Sequence, residues 1–293
     1  MKKPLVGILF LSLFIFPVMV TTQEEGFDVP FVPTPQNVVA EMLKMGNVNK
    51  NDVIYDLGCG DGRIVITAAK KMGARGVGID INPQRISESR ENAKKENVSD
   101  RVEFRQQNLF EADISPASIV TLYLLTEVNI RLRPKLLREL KPGTRIVSHN
   151  YAMGEWEPEQ STVVEGQWSD HDVYYWIVPA NVSGTWEWLY MQPGSGSEKY
   201  LMKLNQKFQT PNGTLTVGSA EIPLQNIVLK GDRLQFTIEK KTNSRNVLIK
   251  FDGRVNGDFI EGNVISGTGK EMFKSDWKAT RNPSTITSID GAD

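Results

Sequence analysis

The chain has 293 residues, of which 40% are apolar, 9% aromatic and 24% charged; this is a globular composition, long enough for about two domains, and it excludes bulk disorder and fibrous or coiled-coil classes. Lys and Arg number 34 against 35 Asp and Glu, a formal charge of −1, so no large basic field exists to hold a nucleic-acid backbone. One cysteine, Cys59, and two histidines, His149 and His171, exclude an intrachain disulfide, a Cys-rich zinc site and a His-x-x-x-His metal centre; no metal ligand set is expected.

In chain order, Lys2 and Lys3 precede an uncharged, apolar run through residues 4–20, which reads as an export signal or an uncleaved membrane anchor over 1–23. The positive charge ahead of the run predicts that the remainder faces away from the cytoplasm, on the periplasmic side if the segment is a signal. From 28 to 181 short apolar runs alternate with helical spacing, the pattern of a largely parallel sheet covered by helices. Thr34 and Pro35 are expected to cap and open the first helix. Strands are expected at 53–57, 76–81, 102–106, 119–125 and 144–149, with helices after Gly62, after Asn82-Pro83, and from Pro134 to Leu140.

Beyond Pro179 the texture changes to strict alternation, as in Tyr200, Met202 and Leu204 or Leu234, Phe236 and Ile238, punctuated by Asn212-Gly213, Gly231-Asp232 and Asn256-Gly257. Six to eight short strands over 182–283 predict a small antiparallel barrel or sandwich, lipocalin-like in outline, followed by a disordered tail at 284–293. Trp186, Trp188 and Trp277 form either its core or an aromatic ligand cluster.

The sharpest local feature is Asp56-Leu-Gly58-Cys59-Gly60-Asp-Gly62. An apolar strand runs into three alternate glycines and a helix follows at once, so the backbone can approach a ligand closely beside free helix N–H groups. Asp80 ends the next strand, 22 residues after Gly58, where a carboxylate can accept both hydroxyls of a ribose. The spacing differs from the dinucleotide fingerprint, and the acid at Asp56 suits a cationic ligand group better than a pyrophosphate.

This string resembles the first motif of the class I, seven-strand S-adenosylmethionine-dependent methyltransferases, a likeness that spans roughly residues 28–180 and implies a Rossmann-like α/β domain. Phe31-Val-Pro-Thr34-Pro35, Gly60-Asp-Gly-Arg-Ile-Val65, Asn82-Pro83, Asn108-Leu109-Phe110, Leu132-Arg-Pro-Lys-Leu-Leu137 and Trp156-Glu-Pro158 further resemble the small membrane-associated protein-lysine methyltransferases. The resemblance implies S-adenosylmethionine as cofactor, held by Asp56, Gly58, Cys59, Gly60, Gly62, Asp80 and Ile81, with Asn108 and Leu109 near the adenine and Thr34 and Pro35 in a lid. Asn108 stands where the family often has an acid, and its amide oxygen can accept from the adenine amino group. Tyr123, Glu127 and Asn129, at the end of the fourth strand, are the catalytic candidates, since ligands gather at the carboxyl ends of strands; Tyr123 reads equally as core and Glu127 as a first-turn acid. His149 is either a base or a structural histidine. Cys59 is read as a backbone contact and not as a nucleophile.

The leading expectation is a protein-lysine N-methyltransferase acting on a protein partner, associated with a membrane through residues 4–20. Two alternatives stand beside it: methylation of a small molecule or lipid, and a non-catalytic exported binding protein with a vestigial methyltransferase fold.

Overall fold

A computed structural model describes residues 30–192, 196–242, 245–268 and 271–290. The expected signal or anchor at 1–23 lies outside the described residues, and among those residues no helix is long and apolar enough to cross a membrane.

The first half is an α/β unit. Helix α1 (Gln36–Met45) buries Val38, Val39, Met42 and Leu43, an i, i+1, i+4, i+5 stripe. Strand β1 (Val53–Leu57), helix α2 (Arg63–Met72), β2 (Arg75–Asp80), α3 (Pro83–Lys95), β3 (Val102–Gln106), β4 (Ile119–Leu122), α4 (Thr126–Glu139) and β5 (Arg145–His149) follow, and a hairpin of β6 (Gln160–Val164) and β7 (His171–Ile177) ends the sheet. The sheet order is β3-β2-β1-β4-β5-β7-β6; β1 to β5 pair in parallel, and β7 runs antiparallel between β5 and β6. Buried strands such as β1 and β4 read as continuous apolar runs because both faces are covered. The order reverses beside β1, so the carboxyl ends of β1 and β4 open onto a topological switch point.

Three local expectations are corrected. Thr34 does not cap α1: Pro35 is the cap residue, no side chain caps the first turn, and the Thr34 hydroxyl is engaged elsewhere. Helix α4 begins at Thr126, eight residues before the expected start, with Pro134 in its interior. Proline is most at home in a first turn, which is why it reads as a start; here burial of Val128, Leu132 and Leu136 on one face carries the helix through it. The β6–β7 hairpin went unread because its strands are short and half-exposed.

The second half is a nine-stranded antiparallel sheet among the described residues: β8 (Gly184–Gln192), β9 (Gly196–Lys207), β10 (Thr210–Val217), β11 (Ala220–Pro223), β12 (Gln225–Lys230), β13 (Arg233–Thr242), β14 (Arg245–Asn256), β15 (Phe259–Thr268) and β16 (Glu271–Asn282). Its order is β11-β10-β9-β8-β16-β15-β14-β13-β12. The two outermost strands are consecutive in sequence, and Leu224 between them donates its N–H to the Gly213 carbonyl of β10 at 3.1 Å, so the sheet nearly closes into a barrel. Trp186, Tyr200, Phe236, Phe251 and Trp277 fill the interior. Strands β8 and β16 pair only over Thr185–Glu187 with Thr280–Asn282, although both continue well beyond.

Residues 283–290 are not the disordered tail expected. A 3-10 turn (Pro283–Thr285) follows β16. The Ile289 carbonyl then accepts from Phe208 N–H at 2.8 Å, and Asn181 and Ser183 both donate to the Thr287 carbonyl at 2.9 Å. Phe208 also stacks on Trp156 of the α/β unit at 6.0 Å, and Arg133 of α4 lies over its ring at 4.8 Å while donating to the carbonyls of Met153 and Asp290. The tail is ordered because it supplies backbone partners at the seam between the two sheets.

Candidate active site

Strand β1 delivers Leu57 into Gly58, Gly60 and Gly62, all of which hold positive φ (81°, 52° and 79°). Gly60 shows why a side chain is excluded: a Cβ there would come 2.3 Å from the Phe31 ring, in a conformation already unfavourable to other residues. Gly58 and Cys59 donate their N–H groups to the Ile79 carbonyl at 2.8 and 3.0 Å, and Gly60 N–H donates to Asp80 Oδ2 at 2.9 Å. Asp80 Oδ1 accepts from Asn82 N–H at 2.9 Å, so the carboxylate at the end of β2 is fixed against the glycine turn. Helix α2 starts directly after Gly62 with no side-chain cap, leaving its positive end at the turn.

The segment ahead of α1 folds onto this elbow. Phe31 rests on Gly60 with the Arg85 guanidinium 4.1 Å over its other face. Arg63 holds Asp61 through paired hydrogen bonds and reaches the Thr34 carbonyl at 2.8 Å. Three acids, Asp56, Asp61 and Asp80, therefore surround one turn. Asp56 is buried and accepts from Thr121 Oγ1 at 2.7 Å across the β1–β4 ladder. Burial pushes its pKa up from 3.8 to about 7, the Thr121 hydrogen bond opposes this, and Asp80 and Asp61 add to the rise. A buried carboxyl in that state is relieved by a cation. Cys59 has its sulfur toward Gly78 of β2, and burial with the same acids raises its pKa well above the ordinary value; its thiol is not a nucleophile.

A second cluster sits at the ends of β4, β5 and β7. A Cβ on Gly58 would strike Leu124 at 2.8 Å, so the turn after β4 packs on the elbow and sets Tyr123 beside it. The Tyr123 ring lies 3.8 Å from the His149 ring and 6.0 Å from Tyr151. His149 Nδ1 is 3.2 Å from Thr34 Oγ1, and His149 Nε2 is 2.9 Å from His171 Nδ1. His149 is fully buried whereas His171 is half-buried. Burial first, and then His171, lower the His149 pKa to about 4, so its ring is neutral at pH 7. Tyr123 is raised, chiefly by burial and then by Tyr151, and keeps its proton.

The structure thus brings Asp56, the three glycines, Asp80 and the Thr34 region together, with Tyr123 adjoining. It places three residues differently. Asn129 is fully buried; it donates to the Tyr151 carbonyl at 3.0 Å and so positions that loop. Glu127 is exposed in the first turn of α4. The Asn108 amide oxygen, expected at the adenine, accepts from Phe110 N–H at 3.0 Å and closes its own turn. Ile81 is 52% exposed just beyond Asp80, and Leu109 is half-buried. Tyr151, His171, Phe31 and Arg63 are site neighbours to which sequence pattern assigned no role; Tyr151 lies two residues beyond the end of β5, a position that marks it in hindsight.

A seven-strand sheet with an antiparallel β7, a glycine elbow and an acid ending β2 defines a class I S-adenosylmethionine-dependent methyltransferase. Residues 56–160 match the family model of the ANTKMT methyltransferase domain. A protein-lysine N-methyltransferase of Saccharolobus islandicus (strain REY15A) is 48% identical over 151 residues, which are 51% of this chain and 94% of that protein. The chain belongs to that enzyme's family, the seven-strand protein-lysine N-methyltransferases. A human ATP synthase lysine N-methyltransferase is 33% identical over 134 residues, covering 46% of this chain and 57% of that protein. The crystal structure of an RNA methyltransferase from Salinibacter ruber in complex with S-adenosyl-L-homocysteine is 54% identical, with TM-score 0.50, over 52% of this chain and 96% of that one. S-adenosylmethionine is the cofactor. The residues present fit it: the bare face of Gly60 leaves room for close approach, and the crowded acids want a positive partner.

Proposed function

We propose that the protein transfers the methyl group of S-adenosylmethionine to the side-chain nitrogen of a lysine in a protein substrate. The cofactor supplies a methyl carbon on a sulfonium. In this reading Gly58, Cys59, Gly60 and Gly62 offer backbone, Asp56 faces positive charge, Asp80 accepts from the ribose hydroxyls, and Ile81, Asn108 and Leu109 border the adenine. Thr34 and Pro35, with Phe31, close over the turn. The observation that carries the reading is the aromatic and histidine cluster packed against the elbow, because an amine acceptor needs a lined path and a means of losing a proton before it attacks.

Tyr123 and Tyr151 supply ring faces to the acceptor nitrogen, which is cationic before deprotonation and again after transfer. Glu127, exposed at the same end of the sheet, attracts the incoming ammonium. Proton loss follows the chain of groups from Thr34 Oγ1 to His149 and on to His171. With Thr34 donating to His149 Nδ1 and His149 Nε2 donating to His171 Nδ1, one proton enters at the hydroxyl and one leaves at the more accessible ring, with no lasting charge on buried His149. The lone pair freed on nitrogen then forms the N–C bond as the C–S bond breaks, and the sulfur keeps the electron pair.

The test incubates full-length protein with methyl-tritiated cofactor and a lysate treated or untreated with RNase. Counts in protein bands that hydrolyse to methyl-lysine support the reading. Counts in RNA would support the second reading, which the likeness to the Salinibacter RNA methyltransferase favours and the formal charge of −1 opposes; counts in extractable lipid would move the acceptor to a small molecule. We place the catalytic unit at 28–181 and the barrel unit at 182–283, and assign residues 4–20 to membrane association. Release of the protein into the soluble fraction without detergent would overturn that assignment.

A further inference from the structure

Independently of methyl transfer, we propose that the barrel is a binding site for an elongated apolar molecule whose head carries a hydrogen-bond acceptor, admitted between β8 and β16. The argument begins with three buried polar groups. Trp188 Nε1, Trp277 Nε1 and Tyr200 OH lie in the barrel interior with no hydrogen-bond partner; their residues are 6%, 1% and 0% exposed. Buried donors are nearly always satisfied, so three orphans in one core call for an explanation. Other indoles in the chain find carbonyls: Trp186 donates to Val182 at 2.9 Å and Trp176 to Trp156 at 2.8 Å.

The three orphans are neighbours. Trp188 and Tyr200 are register partners on β8 and β9, and the Trp188 ring is 5.5 Å from Tyr200 and 5.7 Å from Trp277. The rings meet edge-on, an arrangement that gives an indole N–H at most a weak π acceptor. One oxygen atom between the rings can accept from several of these donors at once.

Their position also supplies an entrance. Trp188 is on β8 and Trp277 on β16, the two strands whose pairing stops at Glu187 and Thr280. Beyond that point the wall is parted, and its rim is apolar. Leu189 and Met191 on β8 are 71% and 65% exposed, and Phe273 on β16 is 51% exposed. Phe273 shares the inward face of Trp277 by strand alternation. Below the rim Tyr190 donates to Ser266 Oγ at 2.9 Å across the barrel, while Ile238, Ile249 and Phe251 continue an apolar lining. A molecule with an apolar body at the rim and an acceptor head against the orphan donors satisfies both halves of the pattern.

The test uses the full chain and cis-parinaric acid, a fluorescent fatty acid with a carboxylate head. Expected is saturable, one-to-one binding with energy transfer from tryptophan. Trp188→Phe, Trp277→Phe and Tyr200→Phe, which keep the rings and remove the donors, should each weaken it about tenfold. Hexadecane, with the chain and no acceptor, should fail to displace the probe, whereas palmitate and its methyl ester should compete, separating carboxylate from carbonyl recognition. Because the Tyr200 hydroxyl has no partner in the free barrel, Tyr200→Phe should leave the thermal midpoint of ligand-free protein unchanged or higher. Absence of binding to folded protein, equal binding by all three variants, or equal competition by hexadecane would overturn the proposal. So would a lowered midpoint for Tyr200→Phe, which would mean that the hydroxyl is already satisfied.

Discussion

Replacing Asp56 with Asn should stabilise the ligand-free protein and abolish cofactor binding. In the fold the Asp56 pKa rises from 3.8 to about 7, about three units at about 1.4 kcal/mol each, or about 4 kcal/mol. The sign follows from proton uptake: the folded chain holds this proton more tightly than the unfolded one. The stability it contributes is present below pH 3.8 and is lost as pH rises to about 7. At pH 8 the bare carboxylate is therefore a net cost of about 4 kcal/mol, and Asn, which can still accept from Thr121, removes it. At roughly 2 to 4 °C per kcal/mol for a chain of this size, the midpoint of Asp56→Asn should rise by roughly 8 to 16 °C at pH 8 and be unchanged at pH 4. The same reasoning predicts that a cationic cofactor group ionises Asp56 on binding, releasing about half a proton at pH 7. Calorimetry in two buffers of different ionisation enthalpy reads that number. A variant that is destabilised at pH 8, or that binds the cofactor as tightly as the wild type, would refute the reasoning.

Further outcomes follow from the same geometry. Gly60→Ala places a methyl 2.3 Å from Phe31 at φ +52°, so cofactor affinity should fall at least tenfold; Phe31→Ala in the same chain should recover part of it, measured by titration. His149 has its pKa lowered from 6.5 to about 4, so the stability it contributes is present above pH 6.5 and is lost as pH falls through about 4. His149→Gln should flatten that acid limb in thermal melts. His171→Gln should lower kcat more than it raises KM, with the loss largest at low pH and relieved by added imidazole, if the proton leaves through that ring. Removing residues 286–293 strips the Ile289 and Asp290 carbonyls from Phe208 and Arg133, and a single calorimetric unfolding peak should then split into two.

Much of the elbow was legible because glycine at alternate positions after an apolar run, followed by an acid at the next strand end, has few other physical uses. The alternating strands of the second half were equally plain, since period-two burial needs no partner to be visible. What stayed hidden depends on contacts distant in sequence. Thr34 reads as a cap from its neighbours alone, yet its hydroxyl is drawn to His149, 115 residues away. Asn129 looks like a site residue by position, and only the loop after β5 shows that it holds Tyr151. The tail at 284–290 has a loop composition, and its order comes from backbone groups that Phe208, Asn181 and Arg133 present to it. Pro134 misled because local preference favours a start and tertiary burial favours passage.

The most direct measurement is calorimetric titration of the full-length protein with S-adenosyl-L-homocysteine, alongside Asp80→Asn. One site should bind per chain in the wild type, and Asp80→Asn, folded by circular dichroism, should bind at least tenfold more weakly. A folded wild-type protein that shows no heat of binding, or a variant that binds equally well, would contradict the assignment of the glycine elbow and Asp80 as the methyl-donor site.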